Sequence, residues 1–158
     1  MISPFLKKLL FARQFSMIDG KIEILGKKQI LLPKDVFSEL EKCNSKGVYS
    51  SVKNVMKKNI DDYAKKLGSS GEGMLNILGD IFDTFGLGDM QIVDIDYKKK
   101  NCVVRIHNIV LMEKNSKDGL MVTPAILSGM FSFLFRKDVD AKKIKPRMGV
   151  NYYEYVVR

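Results

Sequence analysis

Apolar and polar residues alternate with a period of two near the start of the chain. Phe15-Ser16-Met17-Ile18 and Lys21-Ile22-Glu23-Ile24-Leu25 flank Asp19-Gly20, a dipeptide that suits a two-residue hairpin turn, so a β-hairpin is predicted. Gly26-Lys27-Lys28 predicts a second turn, and Gln29-Ile30-Leu31-Leu32 a third short strand. Pro33 can open a helix, and Val36, Phe37 and Leu40 would share one of its faces.

The period then lengthens to that of a helix. Val52, Val55, Met56, Ile60, Tyr63, Ala64 and Leu67 form an apolar stripe over residues 48–67, with Lys53, Lys57, Lys58, Lys65 and Lys66 mainly off it. Gly68-Ser69-Ser70-Gly71 ends that helix. A second amphipathic helix carries Met74, Ile77, Leu78, Ile81, Phe82 and Phe85, and Gly86-Leu87-Gly88 stops it. Alternation returns with Val93, Ile95 and Tyr97 against Asp94 and Asp96, then a charged turn over 98–101. Cys102, Val104 and Ile106 mark a returning strand that could extend to Met112.

Residues 116–119 predict a polar turn. Thr123-Pro124 then reads as a helix N-cap followed by a first-turn proline. The helix to Phe135 is apolar almost all round, which predicts burial or the wall of a cavity. Ala125, Ser128, Gly129 and Ser132 give it a strip of small residues. A mid-helix glycine costs about 1 kcal/mol, so a close neighbour is expected there. Residues 141–158 predict two strands around Met148-Gly149, with Tyr153, Tyr155 and Val157 on one face. The expected organisation is an arm, hairpin and short helix over 1–43 and a main domain over 44–158, packed as one globular unit.

Composition narrows the class. A chain of 158 residues with 46% hydrophobic content is neither disordered nor collagen-like, and two Cys are too few for a disulfide scaffold. A chain of this size buries about 69% of its unfolded surface and needs no metal staple. The net charge is +9, but the lysines are scattered in pairs and a triplet, and Arg, which nucleic-acid readers favour, is the minority. Nucleic acid is therefore not the expected partner, although the Lys-rich helix at 48–67 is the place where a polyanion would bind. No stretch reaches the roughly 20 apolar residues of a membrane span, and Met1–Phe11 lacks the core of a signal peptide, so a cytoplasmic protein is expected. That basic, apolar segment reads as an arm on its own domain or a dimer partner, with a membrane-surface role as the alternative.

Catalytic patterns are missing. Asp61 and Asp62 are adjacent and diverge on a helix, while Asp94 and Asp96 share a solvent-facing strand side. His107 falls out of phase with Cys102, Val104 and Ile106, as a surface histidine would. Neither Cys43 nor Cys102 has a ligand partner at metal-binding spacing. No phosphate loop, dinucleotide fingerprint or nucleophile elbow occurs. Nine Phe and nine Met leave apolar recognition as the available chemistry, with ordinary core packing as the plainer use of the same residues.

His107-Asn108-Ile109-Val110, the run from Pro124 to Phe135, Lys137-Asp138-Val139, Gly149 and Tyr153-Glu154-Tyr155-Val156-Val157 together resemble the vinyl 4-reductase domain family. The front hairpin, Asp19 to Gly26 and on to Pro33, is similar to the one that precedes the domain in archaeal members. The resemblance implies an α/β (α+β) fold, a twisted antiparallel sheet with helices on one face. That fold is shared with Golgi-transport tethering subunits and nitric-oxide-sensing haem domains, and it can enclose an apolar pocket. Family members include sensor portions of transcription activators that respond to aromatic compounds and proteins of bacteriochlorophyll synthesis; the family name does not establish reductase activity. Many members carry Cys-x-x-x-Gly-x-x-x-Cys for zinc, but aligning on Gly149 puts Lys145 and Tyr153 at the cysteine positions. No metal and no cofactor are therefore expected. The resulting expectation is non-catalytic binding of a small hydrophobic ligand. Phe82, Phe85, Ile126, Met130, Phe131 and Leu134 would line a pocket between the two helices and the sheet. A homodimeric scaffold of the same fold, without ligand, is the alternative.

Overall fold

The computed structural model describes residues 2–43, 45–69, 72–111, 121–144 and 151–158. The expected turns at 116–119 and Met148-Gly149, Lys145, and the side chains of Leu40 and Cys43 lie outside the described residues. The chain divides into two compact units, Met1–Pro33 and Lys34–Arg158. The short helix over 34–43 falls in the second of these units.

In the first unit, α1 (Pro4–Phe11) begins with Ser3, whose Oγ accepts from Leu6 N at 3.2 Å. A three-stranded antiparallel meander follows: β1 (Phe15–Ile18), β2 (Lys21–Ile24) and β3 (Lys27–Gln29). Asp19 and Gly20 both take positive φ, 51° and 72°, as the predicted turn requires. The second turn is Leu25-Gly26, with φ of 52° and 73°, rather than Gly26-Lys27-Lys28. A two-residue loop sets Lys27 opposite Ile24, so the third strand starts two residues earlier than Gln29 and Ile30–Leu32 follow it.

The second unit contains α2 (Lys34–Cys43), α3 (Ser45–Leu67), α4 (Glu72–Thr84), β4 (Asp89–Asp96), β5 (Asn101–His107), α5 (Val122–Phe135), β6 (Ala141–Lys143) and β7 (Tyr152–Val157). The strands form one antiparallel sheet in the order β4-β5-β7-β6, and helices pack on one face. Cys102, Val104 and Ile106 point inward, as do Tyr155 and Val157 of β7.

β4 departs from the expected alternation. Its register steps from Ile92↔Val104 to Asp94↔Val103, so Val93 is an extra residue in a bulge. Met90, Ile92 and Ile95 lie opposite the inward Ile106, Val104 and Cys102, while Val93 is exposed. The expected Val93, Ile95, Tyr97 face is thus broken by one phase shift. Asp96 accepts from Lys98 N and Lys99 N, both at 2.9 Å, and shapes the turn into β5. β5 ends at His107 rather than running toward Met112.

α5 begins two residues earlier than expected. Its N-cap is Met121, which gives no side-chain cap, and Thr123 is buried inside the first turn. The hydrophobic context has overridden the capping preference of threonine. The helix ends where Arg136 takes a left-handed φ of 50°.

Candidate functional site

The small-residue strip of α5 meets α3. A Cβ placed on Gly129 would stand 2.5 Å from Lys53 O and 2.8 Å from Met56 Cβ, so only glycine lets the two backbones approach this closely. Beside this crossing lies a polar clasp. Lys53, grouped by periodicity with the solvated lysines, is only 7% exposed; its Nζ reaches Asp140 at 2.7 Å and Asp138 at 3.1 Å. Tyr49 donates to the same Asp140 oxygen at 2.7 Å and lies 2.8 Å from Ser128 Oγ. Ser128 Oγ accepts from Ala141 N at 2.8 Å, and Ser132 Oγ accepts from Val139 N at 3.1 Å. The strip therefore also fastens the segment entering β6.

Electrostatics follow from that geometry. Hydrogen bonds from Lys53 and Tyr49 hold the Asp140 carboxyl below its ordinary range. Burial alone would pull the Lys53 ammonium down, but its bonds to Asp140 and Asp138 outweigh it and leave it raised.

Beyond Gly129 the two helices frame a cleft of about 1060 Å³. Its apolar lining includes Ala64, Phe133, Leu134 and Phe135, and Lys57, Lys58, Lys65, Lys100 and Arg136 stand around it. Among the described residues, Asp61 is the one acidic lining residue, and it is paired with Lys65. A second groove of about 770 Å³ between α4 and β4 is lined by Asp80, Asp83, Asp89 and Asp94 among others.

The six residues expected to line a pocket occupy different depths. Phe82, Met130 and Phe131 are wholly buried and Ile126 is 9% exposed. Phe85 is half-buried, its ring edge-on to Tyr63 with centroids 6.2 Å apart. Leu134 alone of the six lines the α3–α5 cleft. The cleft's basic residues were visible as lysine pairs, but nothing in the sequence tied Lys100 and Arg136 to them.

The His107 ring lies tilted by 58° against Tyr152, centroids 5.4 Å apart, with Arg105 over the same Tyr152 ring at 4.7 Å and bonded to Glu154 at 2.7 Å. These residues lie on the sheet face opposite the inward core residues, where their contacts account for packing. Burial pushes the Cys102 thiol up to about 12, which makes it a poor nucleophile or ligand. Among the described residues, no group of three His, Cys, Asp or Glu side chains could hold a metal ion, and no helix is long and apolar enough to cross a membrane.

The architecture defines an α+β domain class in which helices cover one face of an antiparallel sheet. Three solved structures share it. The phenol-responsive sensory domain of the transcription activator PoxR, solved with phenol, aligns at TM-score 0.72 and 14% identity, covering 99% of this chain and 90% of that one. A trafficking protein particle complex subunit 3 from Naegleria fowleri, covalently bound to palmitic acid, aligns at 0.52 and 14% identity over 79% of this chain and 91% of its own. A vinyl-4-reductase family protein from Methanocaldococcus jannaschii aligns at 0.50 and 14% identity over 100% of this chain and 96% of its own. The fold-level similarity to this last protein agrees with the resemblance in the motifs. No family model and no curated protein matches the sequence.

Proposed function

We propose that the chain binds a small hydrophobic molecule without transforming it, and that the α3–α5 cleft is where the molecule enters. The observation that carries this reading is an apolar pair, Phe133 and Leu134, left half-buried at the cleft on a helix that is otherwise largely buried. Leu134 forms the wall; Ile126, Met130, Phe131, Phe82 and Phe85 supply the adaptable apolar body behind it. Support comes from two proteins of the same fold that hold phenol and palmitic acid. Burial of apolar ligand surface supplies about 25 cal/mol per Å² before association costs.

Leu134→Trp tests the placement. The larger ring occupies the cleft from a half-buried position, so binding of a hydrophobic probe such as dodecanol should be lost while the circular-dichroism spectrum is unchanged. Undiminished binding in that variant refutes the cleft. If Met130→Trp instead removes binding, the ligand lies deeper among the wholly buried residues.

A further inference from the structure

We infer that the cleft selects an amphiphile with an anionic head, an apolar tail ending in a carboxylate or phosphate. The inference rests on the binding reading above and adds the chemistry of the ligand's polar end. The cleft pairs an apolar wall of Ala64, Phe133, Leu134 and Phe135 with five cationic side chains. Lys65 is neutralised by Asp61. Lys57, Lys58, Lys100 and Arg136 make no ion pair among the described residues, so four positive charges face a space with one committed counter-charge. They come from three separate segments: the middle of α3, the β4–β5 turn and the C-cap of α5. A neutral apolar guest would leave these cations unused. An anion at the mouth would receive charge-assisted hydrogen bonds while its tail covers the half-buried Phe133 and Leu134. The α4–β4 groove is the counter-example: its carboxylates would repel such a head.

Calorimetric titration of the full chain with dodecanoate and dodecyl phosphate, each below its micelle-forming concentration, and with dodecanol below its solubility limit, tests this. The anions should bind about tenfold or more tightly than the alcohol, since a hydrogen bond to a charged group is worth at least one decade of affinity. High salt should narrow the difference. The triple variant Lys57→Gln, Lys58→Gln, Arg136→Gln, which keeps Lys100, should bring the affinity of the two anions several-fold closer to that of dodecanol. The tighter of the two anions identifies the head. Equal affinity for all three probes overturns the anionic head and leaves hydrophobic binding standing. Absence of binding by all three overturns both readings. An undiminished preference in the triple variant overturns the assignment to these cations. Binding to phosphatidylserine vesicles with none to the monomeric anions overturns it in favour of a membrane-surface contact.

Discussion

Gly129→Ala should destabilise the fold although alanine is the better helix former. In a free helix the change would gain about 1 kcal/mol. Here the new methyl meets Lys53 O at 2.5 Å, Met56 Cβ at 2.8 Å and Lys57 N at 3.0 Å, and two of these three are backbone atoms. Relief requires α3 and α5 to separate by roughly 0.5–1 Å, a gap that forfeits a quarter to a half of each dispersion contact across it. Overpacking of this kind costs about 1–3 kcal/mol, so a net loss of about 1–2 kcal/mol is expected after the helix gain. Gly79→Ala in α4 is the internal comparison. Its methyl would meet only Met90 O, at 3.4 Å, so most of the helix gain should survive and the protein should be equally or more stable. Urea denaturation followed by circular dichroism measures both. A lower midpoint for Gly129→Ala with an unchanged slope, and none for Gly79→Ala, is the expected pair. A midpoint for Gly129→Ala at or above wild type would refute the close-approach argument.

Three other outcomes can be checked. Ser128→Ala leaves the Ala141 amide without its acceptor and should lower stability by about 1–3 kcal/mol in the same assay. The clasp also predicts a pH dependence. Asp140 is depressed in the fold, so its contribution is complete above about pH 4 and fades as pH falls; Lys53 is raised, so its share is complete below about pH 10.5 and fades as pH rises. The exposed Asp140 carboxylate limits the effect to about 1 kcal/mol, and Asp140→Asn should flatten the acid side of the stability profile relative to wild type. Peptide-resolved alkylation should find Cys102 unmodified in the native protein at mildly alkaline pH and modified in guanidinium, because the thiol is both 2% exposed and raised to about 12.

Much of the fold was legible because its signals are local. Asp19-Gly20 carries its own turn chemistry, and Cys102, Val104 and Ile106 keep strict alternation in a strand buried on one face. The all-apolar run before Phe135 announced a buried helix, and Gly129 within it announced a close neighbour. Features that depend on a partner strand or helix were hidden. Leu25 takes a left-handed conformation that few bulky residues adopt, so periodicity misplaced the second turn. The bulge at Val93 shifts phase in mid-strand, which a single sequence cannot display. Lys53 reads as another surface lysine until Asp138 and Asp140, more than eighty residues away, come to meet it. The candidate site was partly legible for the same reason: the apolar stock of α5 is continuous in sequence, whereas the ring of cations around Leu134 is assembled from three distant segments.

The doubled residue in β4 has a further effect. β4 is the border strand of its sheet, the position at which a foreign strand could attach and begin a growing stack. The kink at Val93 spoils the flat, regular row of amides and carbonyls that such recruitment needs, while Met90, Ile92 and Ile95 all stay turned toward the core. One inserted side chain thus reconciles a greasy inner lining with a rim that resists uncontrolled strand-by-strand polymerisation.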